Sequence, residues 1–237
     1  MAVNINSVYQ KVLALLNKEQ RGYLTPQEFN LLADRAQNEI YEAYFHKARN
    51  SNAKLKDDDT HTDTLEMLEA KLSPFLKSET NTNVSSGVMT LPTDLYKLDI
   101  VNVSFFGKLN LATEVNKKEE HYITSLGEHS LLYPTKIRPI FTRVSSTTIR
   151  ITPTPNDNAS CTVNYYKKPT APSFGYVVVN EKALYNSNTS VDFELLESEE
   201  EPLVSKILML SGVITKQQDI GQVGANAIQM TNQEQNS

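Results

Sequence analysis

The chain has 237 residues, 39% hydrophobic and 22% charged, which excludes a disordered polymer and is enough to enclose a sizeable core. A formal net charge of −5 argues against a domain that grips nucleic acid over a broad surface, because such surfaces are basic. The single cysteine, Cys161, excludes an intramolecular disulfide, and no apolar run approaches the roughly 18 residues of a membrane span. Residues 1–6 lack a basic patch followed by an apolar stretch, so no leader is read there.

A first helix is expected from Ser7, which forms a Ser-x-x-Gln capping box with Gln10. Val8, Val12, Leu15 and Leu16 give it an apolar stripe, and Gly22 supplies a stop. A second helix has a stronger start: Thr25 as N-cap, Pro26 at the first turn, Glu28 closing a capping box, and Leu24 and Phe29 placed as a hydrophobic staple. Its face reads Phe29, Leu32, Ala33, Ala36, Ile40, Ala43 and Tyr44, and it runs to about Arg49. The short link at 22–24 makes the pair an αα-hairpin. A polar loop follows at 51–64, then a third helix starting at Asp63 and Glu66 and running to about Lys77, with Pro74 near its end.

After a polar run at 78–86, strands are expected at 87–91, 97–106, 109–115, 139–144, 147–152 and 161–166, with shorter ones at 176–179 and 191–195. The clearest hairpin joins 141–144 to 147–151 through a Ser145-Ser146 turn. A last helix starts near Pro202 behind Glu197, Glu199, Glu200 and Glu201, where acids favour the positive end of the helix dipole. Leu203, Val204, Ile207, Leu208, Ser211 and Ile214 form its apolar face, while Gly212, Gly221 and Gly224 weaken its second half. The fold class is therefore α+β: N- and C-terminal helices forming a bundle, with a central antiparallel β-sandwich or partly open barrel as an insertion. The domains read as 1–83, 84–196 and 197–237, the last completing the bundle.

Each candidate for chemistry has a plainer structural explanation. Asp57, Asp58 and Asp59 lack the Gly and the bidentate acid of a calcium loop, since Thr62 and Leu68 stand at those positions. His46, His61, His121 and His129 show no metal-ligand spacing. Cys161 lies in a strand with no cue for an activating histidine. No nucleophile elbow, dinucleotide fingerprint or phosphate loop is present, and Gly221-Gln222-Val223-Gly224 lacks the lysine that would follow. Tyr165, Tyr166, Lys167 and Lys168 read as an edge strand guarded by lysines sooner than as a stacking platform. No catalytic residue, cofactor or metal is expected.

Two stretches carry a resemblance. Residues 5–29, from Ile5-Asn6-Ser7-Val8-Tyr9 to Leu24-Thr25-Pro26-Gln27-Glu28-Phe29, resemble the N-terminus of virion proteins of crAss-like and related marine podoviruses. Leu91-Pro92-Thr93-Asp94-Leu95-Tyr96-Lys97-Leu98 resembles the stretch that leads into the β region of tail tubular protein A-like adaptors. The resemblance implies a structural virion protein: a head-to-tail connector ring, commonly of about twelve subunits, at the portal–tail junction. Its implied partners are copies of itself, the portal protein, other connector or tail proteins, and genomic DNA passing without sequence-specific binding. It would be assembled in the bacterial host cytoplasm and contact no membrane. In such a ring the faces Phe29–Tyr44 and Leu203, Ile207, Ser211 and Ile214 would pack subunit on subunit. Glu197, Glu199, Glu200 and Glu201 would line the channel and repel phosphates. The alternatives are a fibre adaptor or carbohydrate-binding sandwich and, further off, a virion hydrolase. Segments 51–64, 127–135 and 231–237 are expected to be ordered by neighbours.

Overall fold

The computed structural model describes residues 2–18, 24–54, 60–81, 84–105, 107–155, 160–180, 182–214 and 229. The class is α+β with helices at both ends of the chain. Two compact units form, one from 1–74 with 169–237 and one from 75–168. The β unit thus differs from the expected 84–196 at both ends. Its first strand, β1 (Leu76–Asn81), has the sequence of a helix end and polar linker, yet it pairs antiparallel with β7 (Cys161–Lys167) from Leu76↔Tyr166 to Asn81↔Cys161. Past Lys168 the backbone turns to helical partners instead. Gln37 Nε2 donates to the Thr170 carbonyl (2.8 Å) and Gln37 Oε1 accepts from the Glu194 N–H (3.0 Å).

In the helical unit, α1 (Ile5–Lys18) starts two residues before Ser7. Asn4 is its cap: Oδ1 accepts from the N–H groups of Asn6 (3.0 Å) and Ser7 (3.1 Å). The Ser7 hydroxyl is thereby released to donate to Glu200 (2.5 Å). Ile5, Val8, Tyr9, Val12 and Leu16 are buried, whereas Leu15 faces out. The second helix, α2 (Pro26–Lys54), has the expected capping box: the Thr25 N–H donates to Glu28 Oε2 (3.0 Å) and the Glu28 N–H to Thr25 Oγ1 (3.3 Å). It outruns its expected end at Arg49. The third, α3 (Thr60–Leu72), passes into a single 3-10 turn, Ser73–Phe75, around Pro74. A 3-10 turn at Glu197–Glu199 introduces α5 (Glu200–Ile214). The polar segment at 55–59, with Asp57, Asp58 and Asp59, lies outside the described residues, as do Gly221, Gly224 and 231–237.

α5 packs on α1 and α2, and α3 packs on α2. Tyr9, Phe29 and Phe174 form an aromatic knot, with centroids 4.9 Å apart for Tyr9–Phe29 and 4.3 Å for Tyr9–Phe174. Glu39 joins the helices electrostatically, 2.7 Å from Lys206 of α5 and 2.8 Å from Arg35. Burial pushes its carboxyl up, but those two partners outweigh it and hold the group below its ordinary range. A separate hairpin, β8 (Tyr176–Val179) with β9 (Lys182–Tyr185), also belongs to this unit. The expected strand at 191–195 reduces to an isolated bridge, Ser173↔Val191, because the adjoining backbone pairs with the N-terminal segment through Val3 N–H to Leu195 O (3.1 Å) and Phe193 N–H to Val3 O (3.1 Å).

The β unit is one sheet in the order β1-β7-β3-β4-β5-β6-β2, completed by β2 (Val88–Thr90), β3 (Leu95–Phe105), β4 (Lys108–Glu114), β5 (Ile140–Arg143) and β6 (Thr148–Thr152). Met89 of β2, Val103 of β3, Phe141 of β5, Ile149 and Ile151 of β6 and Val163 of β7 share one core cluster. Strands far apart in sheet order meet there, so the sheet curls around its own core as a partly open barrel and not as a sandwich. Leu98 and Val101 both face that core although three apart; a bulge between Leu98 and Ile100 restores the alternation. One junction is parallel, β4 on β5 (Thr113↔Ile140), against the expected all-antiparallel order. Parallel neighbours need a crossover, and it carries a helix absent from the sequence reading, α4 (Lys117–Ser125). The β5–β6 hairpin pairs Arg143 with Ile149, and Val144 N–H reaches Thr148 O (3.0 Å). Its loop is therefore one residue longer than the expected Ser145-Ser146 turn.

The Leu91–Leu98 stretch has a physical role in this sheet. Asp94 accepts from Lys77 Nζ of β1 (2.7 Å) and from the Tyr165 hydroxyl of β7 (2.9 Å), tying the first three strands together. The Lys77 hydrogen bond, helped by Tyr165 and opposed by partial burial, holds the Asp94 carboxyl below the usual aspartate range. Folding lowers this pKa, so the contribution is present above the ordinary aspartate range and is lost as pH falls below it. Asp94→Asn is expected to lower unfolding stability by about 1 kcal/mol at neutral pH, at the low end because the side chain is partly solvated. Urea titrations at pH 7 and pH 3 should show the difference from wild type shrinking at the lower pH.

Candidate functional site

The helix faces expected to pack subunit on subunit are consumed within the chain. Phe29, Leu32, Ala33, Ala36 and Tyr44 are buried, as are Leu203, Ile207 and Ser211; Ile40 and Ala43 are half-buried. They meet α1, α3 and α5 of the same unit, joined by Gln37 and Tyr41, and so offer little surface to a second copy. The side chain of Ile214 lies outside the described residues.

The acids expected to line a channel are also engaged, with one exception. Glu199 is buried and 2.8 Å from Lys71 Nζ of α3. The Lys71 ammonium stands 5.8 Å over the Tyr44 ring. The Tyr44 hydroxyl sits in the field of Glu199 without closing a hydrogen bond of good geometry. Burial first, and then the Glu199 charge, push that phenol above its ordinary range. Glu200 and Glu201 both pair with Lys11, at 3.0 and 2.7 Å. Glu197 alone of the four is exposed with no ion pair among the described residues. Sequence spacing showed a charge run; it did not show that α1 and α3 bring lysines to it.

Cys161 is buried in the sheet core, and burial pushes its thiol up to about 12, the wrong direction for a nucleophile. Among the described residues no group of three His, Cys, Asp or Glu side chains could hold a metal ion, and no helix is long and apolar enough to cross a membrane. His46 and His129 are exposed.

Two features stand out, both in the β unit and neither foreseen from sequence. The first is an apolar surface on the crossover. Leu131, Leu132 and Ile137 are 86%, 62% and 79% exposed, and Tyr122 of α4 and Leu126, its C-cap, are exposed nearby in sequence. Their backbone is held in successive turns: Ser130 N–H to Gly127 O (3.1 Å), Tyr133 N–H to Ser130 O (3.0 Å), Arg138 Nη2 to Leu131 O (2.9 Å), and Thr135 and Arg138 exchanging both backbone bonds. The segment 127–135 is thus organised by its own hydrogen bonds.

The second feature is a cleft of about 420 Å3 between α4 and the outer face of the β5–β6 hairpin. Glu119 closes the start of α4 by accepting from the Asn116 N–H (3.2 Å). The helical spacing then puts Lys117, Glu120, His121 and Thr124 on one wall. Thr142 and Arg150 are directly paired across β5 and β6 and share the face opposite Phe141 and Ile151, which point into the core. Lys117 Nζ donates to the Val144 carbonyl (3.2 Å), and Glu120 accepts from the Thr152 hydroxyl (3.4 Å). Thr142 is buried, yet its hydroxyl has no hydrogen-bond partner among the described residues. Searched against known proteins, the chain matches no protein-family model and no curated protein sequence.

Proposed function

We propose that the chain is a structural subunit of a head-to-tail connector ring in a short-tailed bacteriophage, joining portal to tail around a channel for DNA. The observation that carries this reading is the ordered apolar turn at 126–138. Solvent-facing Leu131, Leu132 and Ile137 on a hydrogen-bonded backbone form a prepared contact surface, which a monomer has no reason to keep. A ring closes when one patch on each subunit meets a different patch on the next. The β8–β9 hairpin, with Val177, Val178 and Leu184 exposed, is a second apolar surface of that kind. The resemblance of residues 5–29 to podovirus virion proteins and of residues 91–98 to tail tubular protein A-like adaptors supports the same role, with the portal, neighbouring tail proteins and other copies of the chain as partners. The subunit would be assembled in the host cytoplasm, carried in the virion, and perform no catalysis.

Electron microscopy of the purified virion tests this. Density for the chain in a ring between capsid and tail is the expected result; density on fibres, which supports the fibre-adaptor alternative, or absence from the particle overturns it. Leu131→Ser combined with Ile137→Ser should abolish ring incorporation, while changing unfolding stability by less than about 1 kcal/mol because both side chains are already in solvent.

A further inference from the structure

We propose that the cleft between α4 and the β5–β6 hairpin binds a small phosphomonoester carrying hydroxyl groups, such as a sugar phosphate. The positive groups of its walls, Lys117 and Arg150, outnumber the one carboxylate, Glu120. Arg150 has no ion pair among the described residues, unlike Arg143 on the preceding strand, which reaches Glu114 at 3.4 Å. A guanidinium with a free donor fork suits phosphate oxygens.

Thr142 is the second, independent sign. A threonine hydroxyl buried on the outer face of a strand, under a helix, ordinarily finds a partner, since leaving it unpaired costs stability. This one has none among the described residues, and Thr142 lines the cleft. A phosphate oxygen is the acceptor it lacks. The Thr124 hydroxyl already donates to the carbonyls of Glu120 (2.8 Å) and His121 (3.1 Å), so it contributes polarity to the wall without competing for the same oxygen.

The remaining chemistry narrows the class. About 420 Å3 is more than a bare phosphate fills and lies within the range of small-molecule sites. Glu120 would repel the phosphate itself but accepts hydrogen bonds, so it fits the hydroxyl-bearing part of the ligand. The His121 ring and Val144 supply the less polar part of the lining.

Isothermal titration calorimetry of the full chain against ribose 5-phosphate and inorganic phosphate, at ionic strength fixed with sodium chloride, tests the site. Saturable one-to-one binding of both, with ribose 5-phosphate tighter, is expected. Arg150→Gln should weaken each by about tenfold, the size of one charge-assisted contact. Thr142→Val, which replaces the hydroxyl by a methyl of the same shape, should weaken each severalfold while leaving the melting temperature unchanged or raised. No saturable heat from wild type, unchanged binding in both variants, or a response to duplex DNA alone would overturn the proposal. A melting temperature that falls in Thr142→Val would also do so, because it would mean the hydroxyl is already partnered.

Discussion

Glu199→Gln is expected to lower the unfolding stability of the helical unit by about 3–5 kcal/mol, the cost of breaking a buried ion pair from one side. The Glu199 and Lys71 side chains are 7% and 16% exposed and 2.8 Å apart. Removing the carboxylate leaves the Lys71 ammonium shielded from water beside the Tyr44 ring, and with Lys47 near enough for the two positive charges to repel. The neighbouring acid makes the control. Glu201 pairs with Lys11 at 2.7 Å, but its side chain is 77% exposed, so Glu201→Gln should cost less than about 1 kcal/mol. Replacing both members of the buried pair, Lys71→Met with Glu199→Leu, should recover most of the loss, because two apolar groups need no mutual compensation. Urea midpoints of the four proteins check this. A Glu199→Gln midpoint equal to that of Glu201→Gln would show that Lys71 is hydrated after all.

That contrast bears on how far a sequence can be read. The four glutamates at 197–201 look alike in one dimension. What separates them is which lysine the fold brings to each, and α1 and α3 lie more than 120 residues away along the chain. Local signals carried well: Thr25-Pro26-x-Glu28 fixed the start of α2, and the alternation of Cys161, Val163 and Tyr165 fixed β7. Features that depend on a partner did not. β1, with the sequence Leu-Lys-Ser-Glu-Thr-Asn, has no apolar alternation and is a strand because β7 supplies its ladder. α4 buries no residue and so shows no apolar stripe; only Asn116-x-x-Glu119 announced it, and that signal is weak without a hydrophobic run behind it. With α4 unread, the cleft it walls and the parallel β4–β5 junction it permits were both out of reach. The helical faces from Phe29 to Tyr44 and from Leu203 to Ser211 read as packing surfaces and are largely buried within the chain, and periodicity is blind to whether the partner is the same chain or another.

Gly175→Ala is the other change expected to be severe, and no sequence pattern marks it. Gly175 is buried beside the turn at 186–190: its N–H donates to Ser190 Oγ (3.0 Å) and its carbonyl accepts from the Asn186 N–H (2.9 Å). A Cβ on Gly175 would stand 2.7 Å from the Thr189 carbonyl carbon and 2.9 Å from the Ser190 nitrogen, closer than real Cβ contacts come. Those are backbone atoms, so no side-chain rotation relieves the clash. Asn186–Ser190 must move, and with it the loop's own hydrogen bonds, Asn188 N–H to Asn186 Oδ1 and the Ser190 hydroxyl to the Asn186 carbonyl, just after the strand carrying Tyr185. Tyr185 stacks on Phe174 at 5.2 Å, and Phe174 on Tyr9 at 4.3 Å, so the displacement runs directly into the aromatic knot of the helical unit. The cost should be about 3 kcal/mol, the upper part of the range for overpacking a filled site. Tyr9, Phe174 and Tyr185 should lose near-ultraviolet circular dichroism with it. Thr189→Gly placed on top of Gly175→Ala relieves only the side-chain share of the contact and should restore less than half of the loss. Full rescue by that second change would mean the obstacle is the Thr189 side chain and not the backbone behind it.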